Sequence, residues 1–260
     1  MEVLKFTLGG KFAFFKKPDV NTYLYFTYGN IHKIALLGMF GAILGYNGYN
    51  QMDFAKRYKK DFDGIVDNKD SEYPEFYYKL KHLNIAIVPK DIYIPKKIQV
   101  FNNSVGYASK EQGGNLIIKE QWLENPLWDI YLAIENEEGK KLARALLGNN
   151  FIYIPYLGKN DHPADISDAK LFHDISEINN PNKINGLFLK KDFQIIEDDN
   201  LDDLDYDNIP TFKYEEKLPI ELEEKTNKYE LKSFIYTNAN LKRLNEVKAY
   251  RLDDINIVFF

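Results

Sequence analysis

The sequence predicts an α+β fold, and three observations predict it: short apolar stretches with a period of two, two well-delimited helical stretches, and the order strand, helix, strands, helix, strand in which they follow one another. In the first stretch, Leu4, Phe6 and Leu8 alternate with Val3, Lys5 and Thr7, the pattern of an edge or half-buried strand ending at Gly9-Gly10. Phe12, Ala13, Phe14 and Phe15 follow between Lys11 and Lys16-Lys17, and Pro18-Asp19 is turn chemistry. Residues 32–46 are nearly all apolar, with glycines at 38, 41 and 45, and predict a helix buried on most sides. A second, amphipathic and basic helix is expected over residues 53–62.

Residues 83–88 predict a strand stopped at Pro89. Residues 98–107 and 115–121 have extended character and flank the polar segment 108–114, so they predict a long β-hairpin with a polar tip. Residues 127–134 predict a strand, residues 137–147 a helix ended by Gly148-Asn149-Asn150, and residues 151–157 a further strand. This is the element order of a ferredoxin-like unit carrying an inserted hairpin, with a domain boundary placed near Gly158. Beyond Asp161 the pattern weakens; strands are expected over 187–196, 229–236 and 247–252, and an exposed loop over the acidic residues 197–208.

Composition narrows the function. With 260 residues, 45% hydrophobic and 28% charged, the chain sits in the globular class, and no apolar run approaches the roughly 20 residues of a membrane span. The opening Met1-Glu2-Val3-Leu4-Lys5 has neither the basic nor the apolar region of a signal peptide, so a cytoplasmic location without membrane contact is expected. Cysteine is absent, which removes disulfides, thiolate zinc sites and cysteine nucleophiles. The net charge of −5 is unlike a general nucleic-acid binder, but its distribution is uneven. Residues 1–60 carry Lys5, Lys11, Lys16, Lys17, Lys33, Lys56, Arg57, Lys59 and Lys60 against Glu2, Asp19 and Asp53, whereas residues 197–230 are strongly acidic. A polyanion is attracted to the first segment and repelled by the second.

Residue chemistry points in the same direction. His32, His82, His162 and His173 lie in separate segments without metal-ligand spacing, and neither a nucleophile elbow nor a phosphate loop occurs. A metal-free ribonuclease needs a general acid and base of the kind Tyr46, Lys81 and His82 supply, although Lys81-His82 also reads as a solvated helix end. In Lys11 to Lys17, aromatic and basic residues interleave, as they do where bases stack on rings and lysines meet phosphates. Phe12 and Phe14 read better as core, which leaves the lysines as the RNA contacts. His32 and Lys33 stand at a helix start, where free N–H groups favour a phosphate. Gly38 and Gly41, taken alone, read as small residues that let the helix lie close to the sheet.

Two blocks resemble the fifth family of CRISPR-associated proteins, a branch of the RAMP superfamily, in its type I-B form. Residues 10–18, Gly-Lys-Phe-Ala-Phe-Phe-Lys-Lys-Pro, are similar to that family's opening strand pair, and residues 32–46 to its glycine-rich first helix. A third block, Tyr156-Leu157-Gly158-Lys159-Asn160, is similar to the turn after a later strand. The resemblance implies a ferredoxin-like or RRM-like palm over residues 1–158, a hairpin thumb at about 93–122, and a β-rich extension over 159–260 packed on the palm. It further implies a non-catalytic subunit of a type I interference (Cascade) complex, one that binds the 5′ handle of the crRNA and caps the backbone. The partners implied are crRNA, the backbone subunit and the large subunit, with target DNA reached indirectly through the complex. Carried over to this chain, Lys33 takes the basic position at the helix start beside His32, Lys11, Lys16 and Lys17 flank the handle, and Gly38 and Gly41 allow close approach. Tyr107 and Lys110 on the hairpin complete the RNA-binding set. Neither a cofactor, a metal nor a catalytic residue is expected. The alternative is a metal-independent endoribonuclease that processes pre-crRNA, as in the type I-C branch, but the Lys81-His82 block does not match that branch's catalytic segment.

Overall fold

The computed structural model describes residues 1–19, 23–52, 72–104, 106–107, 110–173, 175–196 and 210–260. The helix expected over 53–62, the acidic loop over 197–208 and residues 108 and 109 of the hairpin tip lie outside the described residues. The class is α+β with antiparallel sheets. A four-stranded sheet is built from β1 (Val3–Gly9), β3 (Ile85–Pro89), β6 (Leu127–Ala133) and β7 (Asp165–Phe172), in the spatial order β3-β6-β1-β7. Strand β1, expected as an edge or half-buried strand, is therefore central, bonded to β6 on one side and β7 on the other. Alternation survives in a central strand because the two faces of the sheet meet different partners.

On one face, Leu4, Phe6 and Leu8 pack with Ile85, Ile87, Ile130 and Leu132 under the helices. Helix α1 (Lys33–Leu44) begins at His32, whose ring accepts a hydrogen bond from the Ala35 N–H, and ends at Gly45 in the left-handed conformation, φ 76°. It is apolar on nearly all sides because the sheet, α2 (Glu75–Leu80) and β11 (Lys213–Leu222) all pack against it. Gly41 is required there: a Cβ at this position falls 2.5 Å from the Phe76 side chain. Helix α3 (Glu137–Leu147) is amphipathic; Asn136 caps it, Glu137 and Glu138 meet its positive end, and Leu142, Ala143 and Leu146 are buried. Among the described residues no helix is long and apolar enough to cross a membrane.

On the other face, Val3, Ala86, Val88 and Tyr131 are covered by Leu252 and Ile257 from the hairpin of β14 (Ala249–Leu252) and β15 (Ile255–Val258). The same face carries a polar cluster: buried Asp129 accepts from Thr7 and pairs with Lys5 and Lys90, each at 3.0 Å. The C-terminal hairpin thus covers part of this face.

The inserted hairpin is β4 (Lys96–Asn102) paired with β5 (Ile117–Glu124), and β2 (Phe12–Ala13) adds a short third strand at its root. A two-stranded hairpin is marginal alone, so this root matters. Trp122 packs on Phe12 and His162, and its indole N–H donates to Glu120, which also pairs with Lys159 at 2.9 Å.

The strand expected over 151–157 does not form. Pro155 interrupts the ladder, and the sheet takes β7 as its fourth strand, beyond the Gly158 boundary. Residues 151–157 instead form a loop whose N–H groups close the end of α1: Ile152 donates to Ile43 O and Tyr153 to Ala42 O. Of the later strands, β12 (Tyr229–Thr237) is close to its expected bounds, while 187–196 is split into β9 (Phe188–Leu189) and β10 (Phe193–Ile195). Strand β11, hidden in the acidic run, pairs with β12.

Candidate nucleic-acid interface

A groove of about 600 Å³ opens between α1, the loop over 151–159, the segment after β2 and the root of the hairpin. Its floor is the small-residue side of α1, Ala35, Gly38 and Ala42, which recur every three to four residues and so share one face. Its walls are largely aromatic: Tyr46 and Tyr49 beyond α1, Tyr153 and Tyr156 on the loop, and Tyr229 on β12. The loop tyrosines are well exposed, Tyr153 at 61% and Tyr156 at 47%. The loop can run this close only because of Gly158, which has φ 86° and whose added Cβ would sit 2.0 Å from the Phe14 carbonyl oxygen.

Electrostatics divide the lysines around the groove into two sets. Lys17 is neutralised by Glu216 at 2.6 Å, and Lys159 by Glu120. Lys16, by contrast, lines the groove and lies over the Tyr25 ring at 3.8 Å. Along the hairpin, Lys97 covers Phe12 at 3.8 Å and Lys119 covers Tyr23 at 3.9 Å, while Lys11 lies 5.5 Å from the Phe12 centroid. Among the described residues none of Lys11, Lys16, Lys97 and Lys119 has a carboxylate within ion-pair distance. Such lysines keep their charge for an anion from outside.

Burial sets the protonation of the groove. The Tyr46 hydroxyl, bonded to Glu138, is pushed up to about 12 by burial and by that carboxylate. Burial also raises Tyr49 to about 12, and it raises Tyr229. His32, fully desolvated among Phe15, Tyr28 and Tyr229, is lowered to about 3 and is neutral at physiological pH. The arrangement offers hydrogen-bonding groups and aromatic rings.

The expected RNA-binding residues fall into different places. Lys16, His32 and Gly38 meet in the groove, and Lys11 stands at the hairpin root. Tyr107 is 80% exposed on the hairpin beyond β4, and its carbonyl accepts from the Lys110 N–H. Lys33 is only 8% exposed, and burial lowers its pKa while the charge of Glu221 acts against that shift. His32 itself caps the helix, its ring accepting from the Ala35 N–H. Gly41 admits Phe76, a neighbouring helix, in the close approach it permits. Tyr46 is held by Glu138 and covered by Lys79, whereas Lys81 lies over Tyr73, so the ribonuclease candidates engage separate partners. Sequence reasoning missed Tyr49, Tyr153, Tyr229, Lys97 and Lys119. The available signal was Pro155 inside an aromatic run, which argued for a loop presenting rings.

No family model matches the chain, and no curated protein matches it. The fold is similar to that of a chain of a CRISPR RNA-guided surveillance complex, with TM-score 0.50, 11% identity, and coverage of 93% of this chain and 91% of that one. A CRISPR protein from Archaeoglobus fulgidus aligns with TM-score 0.49 at 10% identity over 99% of both chains. A chain of the type III-B Cmr-beta complex bound to cognate target RNA aligns with TM-score 0.39 at 12% identity over 94% of this chain and 86% of that one. At 11% identity the likeness to the surveillance-complex chain is one of fold.

Proposed function

We propose that this chain is a non-catalytic, RNA-binding subunit of a CRISPR interference complex that holds the 5′ handle of the crRNA. The observation that carries the reading is the groove: aromatic walls, a small-residue floor, and at its edge and along the hairpin lysines without counter-ions among the described residues. Single-stranded RNA is held by this combination, rings for bases and cations for phosphates, with each stacked base contributing about 1 to 3 kcal/mol. The fold shared with a chain of a CRISPR RNA-guided surveillance complex supports the same assignment.

The finer reading is a ferredoxin-like palm of the RAMP type, supported by the strand order β3-β6-β1-β7 with α1 and α3 as crossovers. The hairpin β4–β5 is the thumb. Its outward side exposes Ile98, Val100 and Ile117, an apolar surface suited to the backbone subunit, and the large subunit docks alongside. The subunit belongs to the type I-B branch in this reading, meets target DNA only through the complex, and works in the cytoplasm. The contacts to RNA are Lys11, Lys16, Lys97 and Lys119, with Tyr107 and Lys110 from the tip, and the groove tyrosines.

The test is to co-express the tagged chain with a CRISPR array and its neighbouring genes, then map the 5′ ends of copurifying RNA. Ends that coincide at one position inside the repeat, together with copurifying subunits, are expected. Absent RNA, or RNA with scattered ends, would remove the assignment and leave the fold.

A further inference from the structure

His32 faces two ways. Its Nδ1 accepts from the Ala35 N–H at 3.2 Å, so the proton of the neutral ring is on Nε2. Phe15, Tyr28 and Tyr229 meet the ring edge-on, with centroids at 6.0, 5.1 and 5.6 Å, and hold its plane. Among the described residues no hydrogen bond to Nε2 exists, and His32 lines the groove. Nε2–H is thus a donor of fixed direction on a groove-lining residue, packed among aromatic rings and without a partner among the described residues.

We propose that His32 is a specificity-determining residue: its Nε2–H reads a hydrogen-bond acceptor on the edge of one unpaired RNA base lodged in the groove. The inference rests on the reading that the groove takes RNA. Several features select the occupant. Ala35, Gly38 and Ala42 leave a shallow floor that admits a planar ring, the tyrosines provide faces for stacking, and Lys16 stands where the adjoining phosphate would lie. A buried donor also penalises any occupant that leaves it unpaired, so recognition acts by rejection as well as by attraction. Burial keeps the ring neutral, and a charged imidazolium, which would lose its role as acceptor at the cap, is avoided across the physiological range.

The experiment uses the full chain and short repeat-derived handle RNAs, each position replaced in turn by an abasic nucleotide and by the other three bases. The wild type is expected to show a base preference of about tenfold at one position, the scale of one hydrogen bond to a buried donor. His32→Asn keeps a side-chain acceptor at the N-cap, a position Asn fills well, but does not reach into the groove. It should flatten that preference to within about twofold while leaving the other positions unchanged. A profile identical in wild type and His32→Asn overturns the role of His32 and leaves the groove reading standing. If Tyr156→Ala binds every RNA as the wild type does, or if the wild type binds none, the groove reading falls and this proposal with it. As an independent readout, ¹⁵N spectra should show His32 with an unprotonated Nδ1 and a protonated Nε2 at neutral pH, and a shift of Nε2 on RNA binding; an Nδ1–H tautomer contradicts the assignment.

Discussion

Two buried histidines sit in aromatic boxes at opposite ends of the groove's support, and the difference between them shows what burial alone does not decide. His32, at the head of α1, is 3% exposed among Phe15, Tyr28 and Tyr229; His162, under the hairpin root, is 2% exposed against Trp122 at 4.4 Å and Phe12 at 6.0 Å. Burial lowers the pKa of both, with Lys159 and Lys97 adding to the effect at His162 against Asp161 and Glu120. Only His32 has a partner that sets its tautomer. Among the described residues neither nitrogen of His162 finds a hydrogen-bond partner. Desolvation fixes the charge state in each box, but a hydrogen bond is needed to fix direction, and direction is what recognition requires.

The largest effect should come from a change that breaks both regions together. Gly158→Ala places a Cβ against the Phe14 carbonyl in a left-handed backbone conformation, and the same loop carries His162, Lys159 and the groove wall. A loss of about 3 kcal/mol or more is expected in chemical denaturation, together with loss of RNA binding. Retention of wild-type stability would contradict the close crossing.

The histidines themselves should separate in sign. His32→Leu removes a helix cap and is expected to destabilise by about 2 kcal/mol. His162→Leu replaces two unpartnered nitrogens with apolar atoms and should be neutral or stabilising by up to about 1 kcal/mol. Equal losses in both variants would dissolve the distinction.

The pH dependence sharpens it further. Because the folded-state pKa of His32 is lowered to about 3, the unfolded chain binds the proton first as pH falls. Stability from this group is complete above about pH 6.5 and is lost progressively from there down to about pH 3. His32→Asn should flatten the stability profile over that window in denaturant midpoints, and an unchanged slope counts against a neutral buried ring.

The smallest effects concern the lysines beside the first box. Lys17→Gln should lower stability by about 0.5 kcal/mol, since its pair with Glu216 is partly exposed, and leave the salt dependence of RNA binding unchanged. Lys16→Gln should do the opposite, leaving stability unchanged and reducing the slope of log K against log salt by about one. Equal slopes for the two variants would show that the ion pair does not decide which lysine meets phosphate.

The amino-acid sequence by itself determined the elements whose information is local. Helix α3 has the bounds its cap, charges and periodicity predict, and α1 lies within its expected stretch because His32 and Gly45 stop it at both ends. The hairpin, the strands at 85–89 and 127–133 and the α+β class were legible for the same reason. Tertiary structure decided the rest. Whether Lys33 meets solvent depends on β11, which arrives from 180 positions later, and whether β1 is central depends on β7. The run at 151–157 has strand-like composition, yet the carbonyls at the end of α1 draw its N–H groups, so it becomes a groove wall. Caps and periodicity act between near neighbours and can be read along a chain; burial, counter-ions and the direction of a donor arise from distant segments and exist only once these are brought together.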